Sequence, residues 1–221
     1  MLKSKFMENP SNQKMRDQRK LISGPAGDIE VLLRENEAAT EIAICCHPHP
    51  LHGGNMNNKV VHTLHRTFNE RGCHTLRFNF RGVGKSHGSF ADAVGETEDL
   101  LAVVRWVQSQ WPEFPINLSG FSFGAFVSLN AVGKIPLAKL VSVAPPVEHF
   151  YFKDITIPDF PWIIIQPMAD EVVNTEAVVA WVENNKTDQT RMIKIDEASH
   201  FLHGKLVEMK EKLHAELDEF D

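Results

Sequence analysis

A serine between two glycines, then an acid, then a histidine, taken in that order along a chain, can perform nucleophilic acyl transfer. The serine is Ser122 in Gly120-Phe121-Ser122-Phe123-Gly124, a G-x-S-x-G pentapeptide. The acid is Asp170 and the histidine is His200. A serine hydroxyl is a poor nucleophile until a base takes its proton, and that base needs an acid to orient it. Serine, acid, histidine is the order that goes with a serine on a sharp strand-to-helix turn. The two glycines fit that turn, because a Cβ at either position would clash where strand and helix pass close. Each residue has a competitor. Ser122 could simply cap a helix after a glycine-rich turn, Asp170 could cap the next helix, and His200 could be a surface residue. Glu171 and His203 are the alternative acid and base, and the reading prefers Asp170 and His200.

Acyl transfer also needs donors for the oxyanion of the tetrahedral intermediate. The backbone N–H of Phe123, just after the serine, is one. The second is expected from His47-Pro48-His49-Pro50-Leu51-His52-Gly53-Gly54. Proline has no N–H, which leaves His49 and Leu51 as the nearest donors. The same segment has a rival chemistry. His47, His49 and His52 with a water are enough ligands for a catalytic zinc, but the prolines restrict how the rings converge and no acidic cluster lies nearby in sequence. A third reading keeps the fold as a non-catalytic binding module. Arg81-Gly82-Val83-Gly84-Lys85-Ser86 lacks the spacing of a phosphate-binding P-loop and reads as structural.

The elements that must position these groups follow from periodicity. Ile29–Leu33, Glu41–Cys46, Cys73–Phe80, Ile116–Ser119, Leu137–Val143, Trp162–Gln166 and Thr190–Ile195 read as strands. Val60–Glu70, Glu96–Trp111, Ala125–Ala131, Glu176–Glu183 and Leu206–Phe220 read as helices. Alternating strands and helices predict an α/β fold with a mostly parallel sheet and helices on both faces. Ser122, Asp170 and His200 each follow a predicted strand, which puts them at the edge where such sheets bind ligands.

The chain has 221 residues, 43% apolar and 24% charged, with a formal charge of −6. That suits one globular domain over 21–221 and does not suit a generally basic nucleic-acid binder. Residues 1–20 carry six basic and two acidic side chains and read as a tail with little structure. Three cysteines, two of them adjacent (Cys45 and Cys46), do not form a disulfide framework. With no apolar run long enough for a membrane span and no secretory leader, the expected location is the cytoplasm. Oligomeric state is left open. Eleven histidines and a single tyrosine are the unusual counts.

Six segments together resemble the α/β-hydrolase superfamily, and within it a compact group of bacterial serine hydrolases. They are His47–Gly54, Arg77-Phe78-Asn79-Phe80-Arg81-Gly82-Val83-Gly84-Lys85-Ser86, Gly95-Glu96-Thr97-Glu98-Asp99, the pentapeptide at 120–124, Asp170-Glu171-Val172-Val173 and Ser199-His200-Phe201. The resemblance implies a catalytic set of Ser122, Asp170 and His200, with no metal or other cofactor. It places His49 just after the usual His-Gly pair of the oxyanion loop, although Pro48 stands here where that glycine would be. Pro167-Met168 likewise stands where a glycine is common before the acid. The implied activity is hydrolysis of small esters, with thioesters and amides as alternatives. Only the short segment 146–160 is available between the strands ending at 143 and starting at 162, which leaves little room for a lid and implies a minimal cap domain or none. Phe121, Phe150, Tyr151 and Phe152 are the candidate walls of an acyl pocket, with the alternative that the rings of the 146–160 segment simply plug the edge of the core. The expected partner is a small-molecule ester.

Overall fold

Period-two alternation sorts the strand side chains onto two cores. In β3 (Ile42–Cys46), Ile42, Ile44 and Cys46 enter one cluster while Ala43 and Cys45 enter the other. In β7 (Trp162–Pro167), Trp162 and Ile164 go one way and Ile163 and Ile165 the other. Strands apolar on both sides belong in the middle of a sheet covered on both faces. The computed structural model describes residues 17–220 and shows that arrangement.

Eight strands form one sheet in the order β1-β2-β4-β3-β5-β6-β7-β8. The others are β1 (Gln18–Gly24), β2 (Gly27–Arg34), β4 (His74–Phe78), β5 (Ile116–Phe121), β6 (Lys139–Val143) and β8 (Thr190–Ile195). Strands β3 to β8 are mutually parallel, while β1 and β2 form an antiparallel hairpin on the β4 edge. Helices α1 (Lys59–Glu70) and α5 (Leu206–Asp218) bury Val60, Leu64, Phe68, Met209 and Leu213 against one face. Helices α2 (Val94–Gln110), α3 (Phe123–Asn130) and α4 (Thr175–Asn185) cover the other with Val103, Val107, Phe126, Val178 and Val182. Asn58 starts α1 by accepting the N–H groups of Val60 and Val61, and Asn174 caps α4 through Glu176 and Ala177.

The α/β reading therefore holds, with one correction. Strand β1 begins at Gln18, inside the segment read as a tail. Its sequence Gln-Arg-Lys-Leu-Ile-Ser-Gly is polar because it is an edge strand, and only Ile22 is buried there. The rest of the tail reading falls on residues 1–16, outside the described residues. No helix among the described residues is long and apolar enough to cross a membrane.

The connections out of the sheet centre open a crevice. The helix after β3 lies on one face and the helix after β5 on the other, although β3 and β5 are neighbours. The crevice of an open α/β sheet forms at such a reversal, and here it falls between the His47–His52 loop and Ser122.

Candidate active site

Ser122 sits between β5 and α3 with φ 54 and ψ −118. That backbone is costly for a non-glycine residue, and tight packing on both sides holds it. A Cβ on Gly120 would lie 2.2 Å from the Gly124 carbonyl oxygen, and one on Gly124 would lie 2.5 Å from that of Cys46. Only glycine lets β5, α3 and the end of β3 approach this closely. The Ser122 N–H donates to the Val143 carbonyl at 2.8 Å. Ser122 occupies the N-cap of α3, yet its hydroxyl makes no capping bond. The hydroxyl instead lies 3.1 Å from His200 Nε2.

His200 is placed by the loop after β8. Its Nδ1 lies 2.8 Å from Asp170 Oδ2. A carboxylate only accepts, so Nδ1 carries the proton, Nε2 is the acceptor, and the Ser122 hydroxyl donates to it. Asp170 Oδ1 accepts the N–H groups of Val172 and Val173, both at 2.8 Å. The loop after β7 thus closes on its own carboxylate and leaves Oδ2 for the imidazole. Both side chains are withdrawn from solvent, with 3% of His200 and none of Asp170 accessible. The ring of Phe121 backs His200 at a centroid distance of 4.9 Å. The neighbouring acid has a separate task, because Glu171 Oε2 accepts the backbone N–H of His200 at 3.0 Å. His203 is exposed and stacks on Phe201.

The two oxyanion alternatives differ in their hydrogen bonding. The Leu51 N–H is taken by His49 Nδ1 at 3.2 Å. Among the described residues, neither the His49 N–H nor the Phe123 N–H has an acceptor. The rings of these two residues are 4.9 Å apart.

Within the histidine-rich segment, His47 is structural. Its Nε2 accepts the Phe80 N–H at 3.0 Å, which puts the ring proton on Nδ1, donated to the Pro48 carbonyl at 2.7 Å. Both nitrogens are spent on backbone, so this ring cannot ligate a metal without orphaning a buried N–H. The loop after β4 is structural too. Arg81 grips Asp99 through Nη2 at 2.8 Å and Nε at 3.0 Å, and its own N–H also donates to that carboxylate. The hydrogen bonds it donates to the Asp99 carboxylate hold the Arg81 guanidinium above its ordinary pKa.

Burial pushes His47 down to about 4, and burial followed by the nearby Arg77 charge pushes His65 down to about 3. Both rings are neutral in the folded chain, and the unfolded chain protonates them near the ordinary 6.5. Their stability is fully present above about pH 6.5 and is lost as pH falls toward 4. His47 alone accounts for roughly 3 kcal/mol of that loss. Melting temperatures followed by circular dichroism from pH 7 to pH 4 are expected to fall steeply. A flat profile would contradict the neutral buried histidines.

The aromatic candidates divide. Phe150 and Tyr151 line a cleft of about 460 Å³ together with Val94, Leu101 and Phe126. Phe121 is fully buried under His200, and Phe152 is buried against Phe126 and Trp181. These two are corrected from pocket wall to packing. For Phe121 the reason is its position on the all-buried strand β5. Leu101 and Phe126 were missed because they sit on helices and read as ordinary core-facing residues, and Val94 because it precedes the helix predicted from Glu96. The exposure of Val94 carries no periodic signal.

Residues 51–203 match the protein-family model described as the alpha/beta hydrolase fold. A Rickettsia prowazekii protein is 37% identical over 202 residues, covering 86% of this chain and 84% of that protein. An alpha-beta serine hydrolase homologue from Coxiella burnetii superposes with a TM-score of 0.86 at 44% identity, covering 97% of this chain and 100% of that one. A serine hydrolase without a lid from Xanthomonas campestris gives a TM-score of 0.88 at 38% identity, over 96% and 97% of the two chains.

Proposed function

The chain belongs to the alpha/beta hydrolase fold family, and from that premise we propose that it is a serine carboxylesterase working through an acyl-enzyme. The observation that carries this reading is the unbroken line from Ser122 Oγ through His200 to Asp170, at 3.1 Å and 2.8 Å. His200 Nε2 takes the hydroxyl proton as Ser122 Oγ attacks the ester carbonyl carbon. Asp170 keeps the imidazole in the accepting tautomer and stabilises the imidazolium that forms. The N–H groups of Phe123 and His49 hold the oxyanion, His49 being favoured over Leu51 because its N–H is uncommitted.

Collapse of the intermediate breaks the bond to the alcohol, which takes the proton from His200. Water then gives a proton to His200 and attacks the acyl-enzyme, releasing the carboxylic acid and restoring Ser122. Thioesters and amides fit the same steps. No metal enters the scheme, and the short 144–161 connection keeps the site open to small esters. Phe150 and Tyr151 would contact the acyl group.

Labelling with a fluorophosphonate probe and mapping the modified peptide tests the reading. The expected adduct is on Ser122, and ester hydrolysis should survive a strong chelator. An adduct elsewhere, or none on folded protein, would overturn it.

A further inference from the structure

Seven large apolar side chains are exposed among the described residues: Leu21, Leu51, Val94, Tyr151, Val172, Phe201 and Val207. Six of the seven, all but Leu21, lie beyond the carboxyl ends of parallel strands. Leu51 follows β3, Val94 follows β4, Tyr151 follows β6, Val172 follows β7, and Phe201 and Val207 follow β8. They are 39% to 70% exposed. Because β3 to β8 run parallel, all six share the sheet edge that holds Ser122 and His200. Contacts bear this out for Phe201, Tyr151 and Val172. Phe201 packs edge-on against His200, and His149, two residues before Tyr151, bonds the Val172 carbonyl at 3.1 Å. The single tyrosine of the chain is in this set. Apolar side chains gathered at one site mouth rather than scattered mark a contact surface, and Tyr favours places where one end is apolar and the other wet.

Two clefts open beside this rim, both lined by apolar and polar side chains together. One, of about 460 Å³, runs between Val94 and Tyr151 over Leu101, Phe126 and Phe150, with Glu98, Asn130 and Lys134 also in its lining. The other, of about 370 Å³, lies beside Phe201 and is lined by Asn55, Asn57, Asn58 and Lys59. Each cleft sets apolar beside polar lining, which suits a molecule with a greasy part and a polar part.

We propose that the rim rests on a lipid surface and that the esterase takes its ester from amphiphiles presented there. This deepens the serine-esterase reading and rests on it. A second copy or a rigid protein seated on these six side chains would seal Ser122, whereas a fluid lipid surface yields single molecules into the site. The small site then need hold only the atoms around the carbonyl while the rest of the amphiphile stays at the interface. The exposed charges nearby are mixed, with Lys59 against Asp92, Glu148 and Glu171, so no basic patch selects an anionic surface and neutral lipid suffices.

Flotation with phosphatidylcholine vesicles tests this with the full chain carrying Ser122→Ala, so that binding is read without chemistry. The protein is expected to float with the vesicles and to stay bound in 1 M salt. Tyr151→Ser with Val207→Ser on that background should lower the vesicle-bound fraction about tenfold or more. Val94→Ser with Val172→Ser provides a second pair, and unchanged melting temperatures check folding. Absence of flotation, loss of it in salt, or equal flotation of both rim variants would overturn the proposal. So would a dimer that the rim substitutions convert to monomer. Failure of the esterase reading shows separately, as missing fluorophosphonate labelling at Ser122.

Discussion

Alanine in place of Ser122 is expected to lower kcat on a p-nitrophenyl ester by a factor on the order of 10⁴ to 10⁶ while leaving the fold in place. The change removes the nucleophile and its hydrogen bond to His200, and little else. Ser122 makes no side-chain cap on α3, and its backbone bond to Val143 does not involve the hydroxyl. Alanine meets the same positive φ that serine already tolerates. The melting temperature should therefore move little and the far-ultraviolet spectrum not at all. A variant that retains turnover within tenfold of the parent would remove Ser122 from the mechanism.

Asp170→Asn is the second large effect, and its cause is a tautomer rather than a lost contact. The asparagine oxygen can still accept the N–H groups of Val172 and Val173, so the loop keeps its shape. Its amide nitrogen then faces His200 Nδ1, where a carboxylate oxygen stood at 2.8 Å. A donor there favours the imidazole with its proton on Nε2, which cannot accept from Ser122. The expected loss in kcat is on the order of 10⁴-fold with KM nearly unchanged. Glu171→Gln is the control. The glutamine amide retains an oxygen for the His200 N–H, and a loss below about tenfold is expected. Reversed magnitudes would make Glu171 the orienting acid.

Much of this site could be read from the sequence because it depends on order and on local rules. Ser122, Asp170 and His200 each follow an apolar run, and each run became a parallel strand. The glycines at 120 and 124 could be read because steric exclusion is local, and the atoms a Cβ would meet there belong to backbone. What stayed hidden depends on partners distant in sequence. Gln18–Gly24 carries almost no apolar pattern, since its strand character comes from pairing with β2. The preference proposed for His49 over Leu51 rests on the Leu51 N–H donating to the His49 ring, a matter of rotamer. Phe121 looked available beside the nucleophile, and only the packing of His200 and α1 shows it enclosed. Glu171 read as a rival of Asp170 because a sequence cannot separate an acid that holds a ring from one that holds a backbone.

That last pair has an evolutionary reach. Two consecutive carboxylates on one loop grip a single residue of the next, Asp170 at the His200 ring and Glu171 at its N–H. Another bond ties the same loops, from the Ala169 N–H to the Ala198 carbonyl. The stretch from about 168 to 202 is thereby one heritable cassette. An insertion in either loop would displace Asp170 and His200 relative to Ser122 together, because the two loops are tied at three points. A graft meant to carry this acid–base pair onto a relative should move both loops at once.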